Sequence, residues 1–518
     1  MWRLLACTIA LLTVTACSDS GAPPTEAAAD AQSAAVSDTS PADNVATASD
    51  ETTTYGVTDF EATGSAEAYP VFLRALLQLH NFEFEDSRET FREAQEIDPD
   101  FYMAYWGEAL TQKQPLWNRE DLAAGRAALA KLAPTPEEQL ALAPTERERA
   151  YMAAAHRLFS EEGTELEIET DYAEMMGEIY ERWPDDLDAG AFYALAILTT
   201  SHDGREFDKF MRAAAVTEEI LDRNPLRPGA LHYNIHSYDD PIHAPLGLRS
   251  ARVYASVAPD AVHALHMPSH IFLGLGDFEG TRDLNRRAYD ASIARQAHRG
   301  GMLARNEAYH THSWLLYSHI QLHEFDEARE MLDDLASRIA AGDELANGQL
   351  IVGRAFLAIE TDDWNDPLLD VEVDLAQVNP MQSATEHYVR ARRALANNDL
   401  DTMAAEVDAI VIAESPGPGG GAAIPRVLKD IGQGQLLIAQ GNAEEGIELL
   451  KAAAELEHSL PPFIGPPTIV QPAGEAAGDA LRAMGENDEA VSYYNMTLER
   501  AVNKTRSRLA VEAISAGG

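Results

Sequence analysis

A short turn segment recurs along this chain and limits its fold more than any other feature. It first occurs as Leu79-His-Asn-Phe82 and is followed by an amphipathic stretch that ends at Pro99. Similar turns, each between two stretches with helical periodicity, follow at residues 275–278, 322–325, 440–443 and 484–487. Because such a helix–turn–helix unit buries its apolar face only by stacking on its neighbours, the repeats predict an all-α solenoid.

The spacing within the first unit resembles the second half of a tetratricopeptide (TPR) repeat. Its small, aromatic and proline positions are occupied by Ser87, Phe91 and Pro99. In the last two units a glycine, Gly434 or Gly478, precedes the turn glycine by seven residues, where it would let two antiparallel helices approach closely. The resemblance covers most of residues 69–505 and implies TPR-like helical hairpins in a right-handed superhelix. Gly- and Pro-rich insertions are predicted at 416–421 and 461–472.

A histidine-rich segment at residues 231–276 holds six of the sixteen histidines. In a TPR unit, the first helix lines the concave groove, and its second, fifth, ninth, twelfth and thirteenth residues share the inward face of a 3.6-residue helix. We apply this register to units that start at Pro228, Val262 and Tyr309, and we expect Pro268 to interrupt the second helix. The register directs these side chains into the groove: His232, His236, Asp239, Asp240, His263, His266, His270, His310 and Tyr317.

This set of side chains predicts a metal site within residues 231–312. Several imidazoles near a carboxylate suit Zn, Cu or Fe, and the pairs His232/His236 and His266/His270 are each one helical turn apart. The net charge, 39 − 85 = −46, also favours cations. No H-E-x-x-H motif is present. A single histidine pair at this spacing more often has a structural role. Six inward-facing rings are hard to explain by packing alone, because each buried ring nitrogen would need a hydrogen-bond partner.

Three functions stay open for this groove. The first is binding of a ligand together with a transition-metal ion held by the six histidines. The second is a metal-dependent enzyme, with Asp239 or Asp240 as the proton acceptor. The third is a metal-free scaffold that binds a protein partner. Across the three hypotheses, the expected partner is a small molecule, a peptide or an envelope protein. The net charge of −46 would repel nucleic acid and excludes it as an expected partner.

Two histidine motifs, with residues 79–82 and 104–107, resemble a bacterial family of exported TPR lipoproteins. The motifs are His232-Tyr-Asn-Ile-His-Ser-Tyr-Asp-Asp-Pro241 and His263-Ala-Leu-His-Met-Pro-Ser-His-Ile-Phe272. The resemblance implies the TPR fold and implies that the histidine segment is a family feature, and it supplies no catalytic residues. Arg227 departs from the pattern, which has a histidine before Pro228-Gly229.

Residues 1–17 are predicted to be a lipoprotein signal peptide. Their apolar run is too short to span a bilayer, and they end in Val14-Thr15-Ala16-Cys17, which resembles the site of lipid attachment to a cysteine. The only other cysteine, Cys7, lies inside the signal. Residues 18–54 are poor in large apolar side chains and are expected to form a disordered tether. Ser18 resembles an outer-membrane sorting residue of Gram-negative bacteria, so we expect a periplasm-facing solenoid at 55–518, held to the membrane only by lipid.

The sequence also predicts roles for two smaller groups of side chains. Phe72, Trp106 and Trp117 are expected to pack between helices. A C-terminal unit that starts near Gln471 aims three further candidates for ligand contact into the groove: Glu475, Asp479 and Arg482.

Overall fold

The computed structural model describes residues 55–117, 119–412 and 422–517. The expected signal peptide, Cys17, the tether and the insertion at 416–421 lie outside the described residues.

The N-terminal half of the described chain consists of helices and one small hairpin of strands. The strands, β1 (Lys113–Gln114) and β2 (Arg119–Glu120), pair antiparallel in the connection after the third helix. The helices are α1 (Ala68–His80), α2 (Phe84–Ile97), α3 (Tyr102–Leu110), α4 (Leu122–Ala130), α5 (Pro136–Ala141), α6 (Glu146–Leu158), α7 (Glu165–Arg182), α8 (Leu187–Thr199), α9 (Phe207–Arg223), α10 (Pro228–Tyr238), α11 (Ala244–Val257) and α12 (Val262–His266).

The C-terminal half continues with helices and two short 3-10 turns, Pro367–Asp370 and Leu375–Gln377. Its helices are α13 (Pro268–Gly274), α14 (Phe278–Arg299), α15 (Met302–Gln321), α16 (Phe325–Ala340), α17 (Leu345–Thr361), α18 (Pro380–Ala396), α19 (Leu400–Ala409), α20 (Ala423–Ala439), α21 (Ala443–Ser459), α22 (Ala473–Ala483), α23 (Asn487–Arg500) and α24 (Thr505–Gly517).

Most helices pack against the helices next to them in sequence, as in the pairs α1/α2, α14/α15, α20/α21 and α22/α23. The fold is therefore an all-α solenoid of TPR-like helical hairpins, as the repeats predict. All five predicted turns fall between two helices. Each turn contains a residue with positive φ: Phe82 (59°), Gly276 (70°), His323 (60°), Gly441 (92°) and Gly485 (84°).

The predicted close approach of paired helices is confirmed in the last two hairpins. A Cβ atom built on Gly446 of α21 would lie 2.6 Å from the carbonyl oxygen of Gly434 in α20. A Cβ atom on Gly478 of α22 would lie 2.9 Å from the ring of Tyr494 in α23. Both distances are too short for a side chain, so glycine is required for these helices to pack this closely.

Two large apolar clusters form most of the core, one within residues 60–271 and the other within residues 278–477. Phe72 and Trp106 are fully buried in the first cluster, as expected. The helices that carry the predicted metal site span the boundary between the clusters, because α10, α12 and α13 belong to the first and α15 belongs to the second. Within the described residues, no helix has the length and apolar character needed to cross a membrane.

Candidate metal centre

Four helices bring together the rings of the six predicted histidines. Helix α10 carries His232 and His236, α12 carries His263 and His266, α13 carries His270, and α15 carries His310. Pro268 occupies the first turn of α13 and separates it from α12, as predicted. The interruption does not separate the rings on either side of it, because the Nε2 atoms of His266 and His270 are 2.9 Å apart.

The first of two histidine triads consists of His232, His236 and His263. One nitrogen from each ring lies within 4.8 Å of a nitrogen from each of the other two. The Nε2 atoms of His232 and His236 are 3.0 Å apart. The Nε2 atom of His263 is buried and has no hydrogen-bond partner among the described residues. An unpaired polar atom in a buried position is costly, and a bound ion would satisfy it.

The second triad consists of His266, His270 and His310, and its ligand atoms also lie within 4.8 Å of one another. The Nε2 atom of His266 lies 2.9 Å from Nε2 of His270 and 2.9 Å from Nε2 of His310. His266 and His270 are buried, whereas His310 is exposed. All six predicted residues are thus divided equally between two sites for an ion.

Hydrogen bonds behind three of the rings determine which nitrogen carries the proton. Nδ1 of His232 lies 2.7 Å from the carbonyl oxygen of His80, and Nδ1 of His270 lies 2.5 Å from the Asp239 carboxylate. Nδ1 of His266 lies 2.7 Å from Oδ1 of Asn285, whose amide nitrogen donates to the carbonyl oxygen of Thr281. These oxygens only accept, so each ring donates from Nδ1 and a neutral ring has its lone pair on Nε2.

This tautomer places lone pairs face to face in the second triad. With both rings neutral, the Nε2 lone pairs of His266 and His270 face each other across 2.9 Å. Two such lone pairs repel unless a proton or a metal ion lies between them. Outer partners that fix the ring orientation in this way are typical of metal-binding histidines.

Burial keeps most of these rings neutral near pH 7. It lowers the pKa of His232 to about 3. Burial, together with the neighbouring histidines, lowers the pKa values of His236, His263 and His266 well below the ordinary range. Neutral imidazole is the form that binds metal.

Aromatic side chains that the sequence analysis did not single out hold the rings in place. Phe82, in the turn after α1, stacks on His263 with ring centroids 5.3 Å apart and meets His232 edge-on at 4.4 Å. Trp314 of α15 lies 4.3 Å from His270 and 4.8 Å from His266. Trp314 follows His310 by one helical turn, and this spacing is the only sequence signal for its position.

A pocket of about 300 Å³ opens onto both triads. This arrangement differs from the expected open groove, because four of the six rings are buried. Trp117 packs against the core and Phe84, and it also lines the pocket because the β1/β2 hairpin carries it over His263, edge-on at 5.5 Å. The lining residues are Trp117, Arg119, Val262, His263, His266, Asn306, Glu307, His310 and Thr311.

Glu307 contributes a buried carboxyl group to this pocket. It precedes His310 by one turn of α15, and its Oε2 atom lies 3.5 Å from Nε of Arg295. Burial raises the pKa of Glu307, although the Arg295 charge opposes the increase. A pocket carboxyl whose pKa is raised in this way is suited to exchange protons with a bound molecule. The sequence analysis did not single it out, because one glutamate at helical spacing is an ordinary surface pattern.

Asp239 and Asp240 do not line the 300 Å³ pocket, so the structure does not place them as proton acceptors there. Asp239 is buried behind His270. Asp240 is buried at the start of the next turn, where it accepts from Nε of Arg205 at 3.0 Å and from the His243 ring at 2.9 Å. Both carboxylates and His270 line a separate cavity of about 30 Å³. Asp239 orients a candidate ligand, and Asp240 organises the turn after α10.

The other predicted groove residues lie away from the pocket. Tyr317 is buried against Phe356 and lines the smaller cavity. Glu475 is fully buried and binds Nζ of Lys504 at 3.0 Å. Asp479 accepts from Tyr494 and Arg506, whereas Arg482 is exposed. On this face of α22, Glu475 and Asp479 form ion pairs with Lys504 and Arg506 of the C-terminal segment.

A buried ionic cluster of Asp188, Arg227 and His80 packs next to the first triad. Asp188 of α8 contacts Arg227 at 2.6 Å and His80 at 3.1 Å. Burial opposes ionisation of Asp188, but Arg227 and His80 more than offset it and hold the pKa of Asp188 below its usual range. His80 then presents its carbonyl oxygen to His232. Arg227 therefore lies in the packing next to the first triad.

Comparisons with known proteins identify no family for this chain. No protein-family model matches the sequence, and no curated protein matches it. Among solved structures, yeast Tom70 is 14% identical over 87% of this chain and 96% of its own, with a TM-score of 0.33. Cut9 in the APC/C Cut9-Hcn1 hetero-tetramer is 15% identical over 88% of this chain and 78% of that chain, also with a TM-score of 0.33.

Human IFIT1 in its dimer with m7Gppp-AAAA is 11% identical over 86% of this chain and 92% of that chain, with a TM-score of 0.35. Identities and scores this low carry no information about ligands or partners.

Proposed function

We propose that this protein binds two transition-metal ions, one in each histidine triad, and presents them to a small molecule in the adjacent pocket. The observation that carries the proposal is the orientation of the second triad. The outer hydrogen bonds of His266 and His270 direct two lone pairs at one point, and His310 supplies a third nitrogen at that point. A site in which three imidazole nitrogens converge, and in which a cation relieves the repulsion of facing lone pairs, has the chemistry of a transition-metal centre.

The dimensions of the triads are consistent with coordination of an ion. Nitrogens that bind one tetrahedral ion at about 2.0–2.1 Å lie about 3.3–3.4 Å apart. The close nitrogen pairs in the triads are 2.9–3.0 Å apart, and no ligand pair is separated by more than 4.8 Å. On binding an ion, the closest pairs would separate by a few tenths of an ångström and the widest pairs would move together.

The pocket supports binding of an external molecule at the ions. Three protein ligands leave a coordination position open, which is typical of sites that bind or transform a molecule rather than hold structure. His263 from one triad, and His266 and His310 from the other, line the pocket. Its volume of about 300 Å³ is at the lower end of the range for small-molecule sites. A small molecule therefore fits this site better than a folded partner.

Metal analysis of protein purified without a histidine tag tests the proposal. Wild-type protein loaded with copper and then desalted is expected to retain two ions per chain. The variants His232→Ala and His266→Ala are each expected to retain one ion, and the double variant none. His387→Ala serves as the control, because His387 of α18 pairs with Glu406 of α19 and lies outside both triads.

Two outcomes would contradict the proposal. Wild-type protein that retains no metal after loading would favour the metal-free scaffold, in which the helical repeats grip a peptide or an envelope protein. Retention of two ions by the double triad variant would show that the metal binds elsewhere. Circular dichroism of each variant verifies that its helices are intact.

We further propose that the chain is an outer-membrane lipoprotein that faces the periplasm. The support is the lipobox-like run that ends at Cys17, the polar stretch after it, and Ser18 as the residue that follows the cysteine. Expression in a Gram-negative host with a radiolabelled fatty acid is expected to label the wild-type chain and leave Cys17→Ser unlabelled. Equal labelling of both chains, or recovery of the wild type in the inner membrane, would contradict this placement.

A further inference from the structure

The two triads lie side by side and form one continuous shell of imidazoles. Between triads, the ring centroids of His263 and His266 are 6.2 Å apart, and those of His236 and His270 are 6.1 Å apart. Within triads, the longest centroid distances are 6.1 Å for His236–His263 and 6.4 Å for His270–His310. The closest rings of different triads are thus about as far apart as the most distant rings within one triad, so two ions would occupy neighbouring sites that one small molecule can bridge.

The charge of this shell limits the ions that it stabilises. Neither triad contains a carboxylate among the described residues, and Asp239 reaches the centre only through the His270 ring. Two divalent ions would place a charge of +4 in a largely buried site, whereas two monovalent ions would place +2 there. Because charge in a buried site is costly without a counter-charge, the shell favours the monovalent pair. Copper is the imidazole-binding metal that has a stable monovalent state.

We propose that this centre holds two Cu(I) ions that bind one molecule of dioxygen between them. This inference rests on the proposed two-ion function. Each Cu(I) gives one electron and becomes Cu(II), and dioxygen accepts both electrons and becomes a peroxide dianion bound to both ions. The total charge is +2 before and after binding, so the shell that favours the Cu(I) pair equally favours the oxygenated state. Binding requires no proton and no external reductant, and release of dioxygen returns both electrons to copper.

The pocket gives dioxygen direct access to both ions. Because His263 and the pair His266/His310 lie on the same pocket wall, a diatomic ligand that enters there reaches both triads at once. Opposite that wall, Trp117 closes over His263, and Phe82 covers the other side of the same ring. This apolar surround covers the His263 ring and is suited to a neutral diatomic guest.

Anaerobic loading with Cu(I), followed by exposure to dioxygen, tests the inference. Protein with two Cu(I) per chain is expected to take up one dioxygen per two copper ions and to develop an intense near-ultraviolet charge-transfer band. Because the two Cu(II) ions would couple through the bridging peroxide, no Cu(II) electron paramagnetic resonance (EPR) signal is expected. Purging with argon is expected to remove the band.

The variant His310→Ala is the sharpest control, because its ring is the exposed one and its loss is the least disturbing to the core. It is expected to hold one tightly bound copper, to give no band and to yield the EPR signal of an isolated Cu(II) after oxidation. His387→Ala is expected to behave like the wild type. Preserved circular dichroism verifies that His310→Ala is folded, and His263→Ala repeats the test from the other triad.

The outcomes separate this inference from the proposed function. Wild-type protein that binds two copper ions but takes up no dioxygen, or that gives two isolated Cu(II) signals, would overturn the dioxygen site and leave the two-ion function standing. Wild-type protein that binds no copper would overturn both.

Discussion

The imidazole of His270 donates from Nδ1 to the carboxylate of Asp239, 31 residues earlier in the chain. Asp239 follows the last residue of α10, and His270 lies in α13, so the bond joins two of the three hairpins that carry the triads. It orients His270 and leaves the Nε2 lone pair free. One carboxylate thereby couples the packing of two hairpins to the geometry of the second triad.

Asp239→Asn is expected to weaken metal binding at the second triad alone. An amide no longer supplies the negative charge behind His270, and loss of such an outer partner typically costs 10–100-fold in affinity. Titration against a chelator of known affinity should show one ion weakened by about that factor and one unchanged. Asp240→Asn is the matched control, because Asp240 contacts Arg205 and His243 instead of a triad ring. Equal weakening by both variants would show a general loss of the fold.

Arg227→Met is expected to destabilise the fold by about 3–5 kcal/mol. The substitution leaves Asp188 charged and buried without its main counter-charge, and breaking a buried ion pair from one side costs this much. Arg223→Met is the control, because Arg223 pairs with the exposed Asp185, where the loss should be below about 1 kcal/mol. Denaturant unfolding followed by circular dichroism compares the two. Similar losses for both variants would contradict the structural role of the Asp188 cluster.

Glu457→Gln is expected to change how stability depends on pH. Burial raises the pKa of Glu457 in the folded chain to about 7, from an ordinary value of 4.5. Between these values the unfolded chain releases a proton that the folded chain keeps, so raising the pH favours unfolding of the wild type. Glutamine has no proton to release and keeps an oxygen to accept from the backbone N–H of Ala473.

Unfolding free energies at pH 5, 6, 7 and 8 test this expectation for Glu457. The advantage of the variant over the wild type should grow between pH 5 and pH 7, toward about 3 kcal/mol, and level off above pH 7. An advantage that does not change with pH would show that Glu457 titrates alike in both states.

Gly446→Ala is expected to destabilise the α20/α21 hairpin by about 1–3 kcal/mol. The added methyl group would meet the carbonyl oxygen of Gly434 at 2.6 Å and force the helices apart. This cost opposes a gain of about 1 kcal/mol from the better helix propensity of alanine. Thermal unfolding gives the net effect. A higher melting temperature for the variant would contradict the close approach of these two helices.

The sequence predicted the repeats and the convergence of the six histidines because both depend on local spacing. Turn residues with positive φ such as Gly441, close-packing glycines such as Gly434, and imidazoles one turn apart all leave a signal within a few residues. Pro268 likewise predicted the interruption between α12 and α13.

Features that depend on long-range packing left no such signal. The division into two triads follows from how α10 and α15 dock on either side of α12 and α13. The position of Trp117 over the pocket follows from a two-residue strand pair, which is too short for a periodicity to reveal. The helical register predicted that Glu475 faces the groove, but Lys504 from a later segment forms an ion pair with it. Contacts between distant segments decided each of these positions.

Anomalous X-ray scattering at the copper edge, from crystals of the loaded protein, tests the central claim most directly. The account predicts two peaks per chain. One should lie about 2 Å from nitrogens of His232, His236 and His263, and the other about 2 Å from nitrogens of His266, His270 and His310. A single peak, or peaks bound elsewhere on the chain, would contradict the two-ion centre.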